Sequence, residues 1–153
     1  MKIEKVSVRN FGIIADIDLD ISAKEGSLVF LNGRNGRGKT TFQSALRWCF
    51  FGDEPAAAKF LSSWSLNNAK IGDTLTTRVE AEITMDTAGT IAVIERTQLF
   101  QKTDSVAPKR LGQPQLTVKI RKADAGSLTD IKADPEMWVQ SFFPKRLINF
   151  FLF

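Results

Sequence analysis

The 153-residue sequence contains no histidine and only one cysteine, Cys49. Without histidine, the chain cannot build a His-containing catalytic triad, a histidine base or a histidine metal ligand. A single cysteine forms no disulfide within the chain, and the missing histidines argue further against a structural zinc site. Because Cys49 lies in an apolar stretch, we expect a buried core thiol in a reducing cytosol.

The sequence also lacks long hydrophobic runs. No segment approaches the length of a membrane span, and the N-terminal residues lack the apolar core of a signal peptide. We therefore expect a cytoplasmic protein with no membrane partner. The formal net charge of +4 and the pI near 9.4 are mildly basic, which is compatible with a nucleic-acid partner without indicating one.

The sequence does contain a phosphate-binding P-loop, or Walker A motif, at residues 33–40. These residues read Gly-Arg-Asn-Gly-Arg-Gly-Lys-Thr and match G-x-x-x-x-G-K-[ST] at every fixed position. The apolar residues 27–32 before the motif predict a buried strand, and residues 41–50 after it predict a helix. A functional P-loop lies between a strand and a helix. The same pattern occurring by chance in a glycine-bearing turn need not have these neighbours, so their presence argues against a chance match.

Phosphate binding explains why each residue type stands in the motif. The glycines let backbone N–H groups converge on an anion at the helix N-terminus. Lys39 is predicted to reach the β- and γ-phosphates of ATP and is the candidate catalytic residue. Thr40 is predicted to ligate Mg²⁺, and Thr41 to donate to the α-phosphate, so ATP and Mg²⁺ are the expected cofactors. The predicted cofactor-binding residues of this stretch are Gly33, Asn35, Gly36, Arg37, Gly38, Lys39, Thr40 and Thr41.

Hydrophobic periodicity elsewhere predicts an α/β fold with an antiparallel β region over about 74–121. We expect two antiparallel strands near the N-terminus, at 3–9 and 13–21, and a P-loop helix that ends near Gly52. A further helix is predicted over 135–143, after Asp134 as its N-cap. The other predicted elements are a short helix over 55–61, a loop over 62–72, strands over 74–85, 90–100 and 116–120, a hairpin turn at 86–89 and a loop over 101–114.

The sequence gives little evidence for the acidic residues that an ATPase site also needs. A P-loop ATPase needs an acid after a second apolar strand to hold Mg²⁺, and a further group to position the attacking water. Glu95 follows an apolar run, but its predicted hairpin makes it a poor candidate. Residues 147–153 are an apolar run at the terminus, and we expect an incomplete domain whose natural chain continues. The alternative is a natural C-terminal strand tucked into the sheet.

Three segments resemble SMC-type and RecF-type ATPases. Residues 2–12 resemble their opening strand, which often ends in R/N-N-F. Asn35 and Gly36 resemble the centre of their G-x-N-G-x-G-K-[ST] loop, and residues 41–52 resemble their P-loop helix. Residues 143–153 resemble a narrower branch, the DndD-like ATPases of DNA phosphorothioation and phage-defence systems.

The sequence departs from the family pattern at two points. Arg37 stands where a small residue is usual. The family's Q-loop glutamine cannot be assigned, since the available glutamines are predicted to lie at the surface. These glutamines are Gln98, Gln101, Gln113, Gln115 and Gln140.

The resemblance implies that the chain is the N-terminal lobe of a bipartite P-loop ABC-type ATPase head. The C-terminal half would follow a coiled coil and bring the signature motif, the Walker B acid and the catalytic glutamate. Two heads would form a head-to-head homodimer around ATP. The resemblance also implies that Arg9 and Asn10 lie near the phosphates, and that DNA and nuclease or defence-system subunits are partners.

The function expected from these features is ATP binding by an SMC-like ATPase that couples ATP binding and hydrolysis to DNA handling, in repair or anti-phage defence. We expect the chain alone to hydrolyse ATP weakly or not at all. Two alternatives stay open: an ATPase subunit of an ABC transporter, and a nucleotide-binding module that does not hydrolyse ATP.

Overall fold

The computed structural model describes residues 1–22, 32, 34, 36–55, 60–104, 107–122 and 126–144. Within these ranges the chain is a mixed α/β fold with one antiparallel sheet and three helices. The strands are β1 (Lys2–Phe11), β2 (Ile14–Asp20), β3 (Thr74–Thr84), β4 (Ile91–Gln101), β5 (Lys109–Arg121) and β6 (Thr129–Asp130). The helices are α1 (Lys39–Phe51), α2 (Ser63–Asn68) and α3 (Pro135–Phe142).

The sheet has the order β2-β1-β3-β4-β5-β6, and every neighbouring pair is antiparallel. The predicted antiparallel pairing of the first two strands is confirmed, with Val8 opposite Ile17. The predicted hairpin between β3 and β4 is also confirmed. Its turn is closed by the Asp86 side chain, which accepts a hydrogen bond of 2.9 Å from the backbone N–H of Thr90. Short local connections therefore build most of the sheet.

The two faces of the sheet differ because side chains alternate along each strand. One face carries buried apolar residues such as Val8, Val79 and Ile94, and α1 packs against it. The fully buried Trp48 of α1 meets Phe60 edge to face, with ring centroids 5.0 Å apart. The opposite face is charged, with ion pairs such as Arg78 to Glu80 and Glu95. The core thus lies between the sheet and α1.

The C-terminal end of α1 and the start of α3 follow the sequence prediction, whereas α1 begins at Lys39, two residues before the predicted start. Gly52 caps α1 with a left-handed φ of 68°, and its N–H donates to the Trp48 carbonyl. Pro135 occupies the first turn of α3, and the Asp134 side chain accepts a hydrogen bond from the Met137 N–H at 2.9 Å. The stacked rings of Phe50 and Phe143, 4.9 Å apart, join the C-terminal ends of the two helices.

The prediction of a loop over 62–72 is wrong, because it contains α2. Ser62 is the N-cap of this helix, and its hydroxyl accepts a hydrogen bond of 3.1 Å from the Ser65 N–H. The same Ser62 is buried and hydrogen-bonded to Asn10 of β1. A six-residue helix is too short to be stable alone, so this long-range contact supplies what the local pattern lacks.

The predicted loop over 101–114 is wrong in its second half, since β5 already begins at Lys109. Pairing with β4 is irregular between Thr97 and Leu99, and Gly112 there has a φ of 70°. The irregularity leaves room for Pro114, which cannot donate to a regular ladder. Gln98 is 1% exposed at this point, which corrects the prediction that it lies at the surface. Its amide donates to the carbonyls of Leu99, Leu111 and Gly112 at 2.9, 3.1 and 3.3 Å.

Several predicted elements fall outside the described residues. These are the strand before the P-loop (27–31), the central part of the helix predicted over 55–61, and the apolar run at 147–153. Among the helices that the structure describes, none is both long and apolar enough to cross a membrane. The assignment to an ABC-type head remains a prediction.

Candidate functional site

The candidate site lies at the N-terminal end of α1, where the P-loop enters the helix. Gly36 and Gly38 have φ values of 77° and 96°, which other residues adopt only with strain. The turn is closed by the Arg37 N–H, which donates to the Arg34 carbonyl at 3.3 Å. Gly33 and Asn35 lie outside the described residues, so their predicted roles stay untested.

The first backbone donors of α1 have no acceptor within the helix itself. The helical ladder begins with the Phe42 N–H, which donates to the Gly38 carbonyl at 2.7 Å. The helix therefore supplies no carbonyl for the N–H groups of Thr40 and Thr41. Gly38, the N-cap, has no side chain that could accept a hydrogen bond from these N–H groups, and the first turn holds no acidic residue. These N–H groups and the helix dipole favour an anion at this position.

The charged and hydroxyl side chains of the motif surround the same helix end. Arg37, Lys39 and Thr40 are exposed, and the Lys39 ammonium donates to the Arg34 carbonyl at 3.1 Å. This bond holds the lysine beside its own loop. A phosphate fits these donors, and the Thr40 hydroxyl is an oxygen ligand of the kind that Mg²⁺ accepts. Within the described part of the chain, no group of three or more Asp, Glu or Cys residues could hold a metal by itself.

Arg9 lies on the charged face of the sheet, at the β1–β2 edge. Its guanidinium contacts Asp16 at 2.7 Å and Asp18 at 2.6 Å, and it donates to the Ile17 carbonyl at 2.8 Å. Hydrogen bonds from Arg9 and then Ser7 hold the pKa of the Asp18 carboxyl below its ordinary value. Apart from a hydrogen bond of 3.3 Å to the Val8 carbonyl of its own strand, the contacts of Arg9 named here are with β2, and its predicted place near the phosphates stays a prediction.

Asn10 is buried at the end of β1 and has a left-handed φ of 55°. Its side-chain oxygen accepts from the Ser62 N–H at 3.2 Å and from the Ser62 hydroxyl at 2.9 Å. Its amide nitrogen donates to the Thr76 carbonyl at 3.2 Å, and its own carbonyl accepts from Thr77 at 2.9 Å. Asn10 thus joins β1, α2 and β3 close to the turn that precedes β2. Its predicted role near the phosphates is a separate matter and is untested.

The C-terminal end of α1 contains an ion pair that sequence reasoning did not identify. Arg96 is 3% exposed, and its Nε donates to the Cys49 carbonyl at 3.1 Å. Its two terminal nitrogens contact the Glu136 carboxylate at 2.6 and 3.0 Å. The alternation of β4 could have indicated this burial, because Arg96 lies on the same face of the strand as the buried residues Ile94 and Gln98.

The acidic residues near α1 are engaged in other contacts. Glu95, the weak candidate for an Mg²⁺-binding acid, contacts Arg78 at 2.6 Å on the charged face. Asp53 contacts Arg47 at 3.0 Å beyond the far end of α1. The described residues therefore place basic and hydroxyl groups at the phosphate end of the helix, and these two carboxylates elsewhere.

The chain matches a known protein family. The sequence model of a family described as an AAA domain matches residues 5–146, which is most of the chain. The matched range contains the P-loop, α1, the whole sheet beyond the first residues of β1, and α3. No curated protein matches the chain.

Proposed function

The chain belongs to the AAA domain family of nucleotide-binding ATPases, and on that basis we propose that it is the ATP-binding part of an SMC-like ATPase. This ATPase couples ATP binding and hydrolysis to DNA handling in repair or anti-phage defence. Within this proposal we assign it to the DndD-like branch, which the sequence of its C-terminal residues resembles. Three parts of the proposal are supported by resemblance: DNA as a partner, the repair or defence role, and the SMC-like architecture. Nucleotide binding is supported by the family and by the residues of the site.

One observation supports nucleotide binding most directly. At the start of α1, Gly38 leaves the N-cap position without a side chain, and Lys39 and Thr40 follow at once. A phosphate oxygen can accept from the helix N–H groups where a capping side chain would otherwise compete. Lys39 adds a positive charge toward the β- and γ-phosphates, so the loop favours a triphosphate over a single small anion.

Mg²⁺ would be held by the Thr40 hydroxyl and by phosphate oxygens of ATP. The metal supplies charge neutralisation at the phosphates. The residues of this chain bind and orient the triphosphate, while the acid that completes Mg²⁺ binding and the group that positions water come from the C-terminal half of the head or from a second head. A head-to-head homodimer and a nuclease or defence-system partner belong to the same proposal.

ATP binding is tested in the natural full-length protein with the variant Lys39→Ala. Loss of a charge-assisted contact predicts that ATP affinity falls at least about tenfold, measured by calorimetry in the presence of Mg²⁺. Lys70→Ala is the matched control, because Lys70 is exposed in the turn before β3. Equal ATP affinity of Lys39→Ala and the unaltered protein would contradict the assignment of the site.

The DNA part of the proposal needs a separate experiment. ATP hydrolysis by the full-length protein is measured with and without double-stranded DNA, at fixed ionic strength. DNA-dependent turnover that Lys39→Ala abolishes is the expected result. Turnover without any response to DNA favours the transporter-type alternative, and tight ATP binding without turnover favours the module that does not hydrolyse ATP.

A further inference from the structure

An apolar cavity lies where the start of β1, the end of β3 and the C-terminal ends of α1 and α3 meet. Its volume is about 130 Å³, close to the cavities of about 150 Å³ that hold one benzene ring in other proteins. Lys2 is the one charged residue among the described residues that line it. The apolar lining includes Ile3, Phe50, Phe51, Ile83 and Phe143. The cavity therefore suits one apolar side chain.

The wall of this cavity is firm on its inner side and open on its outer side. Phe50 and Ile83 are buried, and Phe50 stacks on Phe143 with ring centroids 4.9 Å apart. Ile3 and Phe51 are only partly buried, although both pack against the core. Apolar surface that faces water is unfavourable, and a void forfeits dispersion contacts. An apolar side chain entering from the outer side would gain on both counts.

The chain itself carries an apolar segment within reach of this cavity. Residues 147–153, the apolar run outside the described residues, read Leu-Ile-Asn-Phe-Phe-Leu-Phe and contain one polar residue. Phe143 lines the cavity, and Leu147 follows it by four residues, which span at most about 14 Å. A covalent tether of this length gives a high effective concentration, so any separate apolar partner would have to compete with the run.

We propose that the apolar run packs on this cavity, with the side chains of Leu147 and Ile148 filling it. The contact is made by side chains and needs no strand added to the sheet. The Lys2 ammonium pairs with Glu4 at 3.0 Å, which leaves its methylene groups free to cover the run at the rim. This inference does not depend on ATP binding, because the cavity lies at the end of α1 that is opposite to the P-loop.

Cysteine cross-linking in the full chain tests the contact. One variant carries Lys2→Cys with Leu147→Cys, and the matched control carries Met137→Cys with Leu147→Cys. Met137 is 72% exposed on α3 and does not line the cavity, and it lies six helical positions before Phe143, or about 9 Å, within reach of the same tether. Cys49 is fully buried, so it does not compete for a short bis-maleimide reagent.

The cross-link within one chain is expected to form at least about tenfold faster in the Lys2→Cys variant than in the Met137→Cys control, because packing holds the run at one place. Equal rates would mean that the run visits the outer face of α3 as readily, which overturns the inference. A cross-link that joins two chains would assign the occupant to a second copy and also overturns it. The same holds if neither variant cross-links.

Alkylation of Lys2→Cys alone gives a second measurement that needs no second cysteine. Adding Leu147→Asp and Ile148→Asp is expected to raise the alkylation rate several-fold, since charged residues do not enter an apolar cavity. Ile71→Asp is the matched control, because Ile71 is 71% exposed and lies beyond the opposite end of β3 from Ile83. It should leave the rate unchanged. Equal rates with and without the two aspartate substitutions in the run would contradict the inference, while the proposed function stands.

Discussion

Arg96 of β4 and Glu136 of α3 form a two-point ion pair, with Nη1–Oε1 and Nη2–Oε2 distances of 2.6 and 3.0 Å. The arginine side chain is 4% exposed and the glutamate side chain 46% exposed. Because Arg96 also donates to the Cys49 carbonyl, one guanidinium connects the sheet, the end of α1 and the start of α3. This pair holds α3 at the end of α1 that is opposite to the P-loop.

Removal of the Glu136 charge is expected to destabilise the fold. Glu136→Gln leaves a buried guanidinium with a weaker partner, which predicts a loss of about 1–2 kcal/mol in the free energy of unfolding, discounted for the exposure of the carboxylate. Urea unfolding measures this loss. Glu82→Gln is the control, because its 4.0 Å contact with Lys5 lies on the charged face and predicts a change of about 0.5 kcal/mol or less. Equal losses in the two variants would contradict the role given to Arg96.

Asn10→Ala is expected to be more severe, since it removes three hydrogen bonds of the side chain and leaves alanine at a left-handed φ. The expected loss in the free energy of unfolding is about 2–3 kcal/mol. Asn68→Ala is the control, because Asn68 is exposed and makes one hydrogen bond of 2.8 Å to the Trp64 carbonyl. A loss of ATP affinity in Asn10→Ala without a loss of stability would instead favour the role near the phosphates.

Thr40→Ala tests the predicted Mg²⁺ ligand. Thr40 is exposed at the start of α1, so the variant should fold normally and lose about tenfold in ATP affinity when Mg²⁺ is present. Removal of Mg²⁺ with a chelator should abolish the difference between the two proteins. Thr40→Ser keeps the hydroxyl and serves as the control. A difference that persists without Mg²⁺ would show that Thr40 acts through something other than the metal.

The burial of the Cys49 thiol predicts how the free energy of unfolding depends on pH at alkaline values. Burial raises the pKa of its thiol to about 12, although the guanidinium of Arg96 acts in the opposite direction. Between about pH 9 and pH 12, the unfolded chain has lost the thiol proton while the native chain keeps it. Stability should therefore be intact below about pH 8.5 and fall by up to about 1.4 kcal/mol per pH unit above that.

Urea unfolding at several alkaline pH values measures this dependence. Other groups also titrate there, so the comparison is with Cys49→Ala, in which the contribution of the thiol is absent. The difference between the two slopes isolates Cys49. Parallel slopes would mean that the thiol is not protected as its burial requires.

Local patterns in the sequence predicted much of the fold. The first two strands pair antiparallel as predicted, Gly52 ended α1, and Asp134 with Pro135 began α3. The P-loop was located from residue types alone, because its spacing reflects the needs of phosphate binding within one short segment. These features depend on residues close together in the chain, so a single sequence contains the necessary information.

Other features depended on contacts between distant residues. The helix after Ser62 exists where local propensity gives a loop, since Asn10 lies 52 positions away and bonds its N-cap. Gln98 is buried because β5 is irregular opposite it, and its amide replaces hydrogen bonds that the ladder loses. The pair of Arg96 and Glu136 spans 40 positions.

The sequence by itself determined that this protein has a P-loop motif, that its first two strands pair antiparallel, and that the P-loop helix ends at Gly52; it also predicts which residues of the loop meet the phosphates. Only the tertiary structure decided that an apolar cavity lies beside the ends of α1 and α3, that Asn10 is used to join three elements, and that a buried arginine holds α3. The physical reason is that hydrogen bonds and packing between distant segments arise only when the whole sheet forms, and they outweigh weak local propensities.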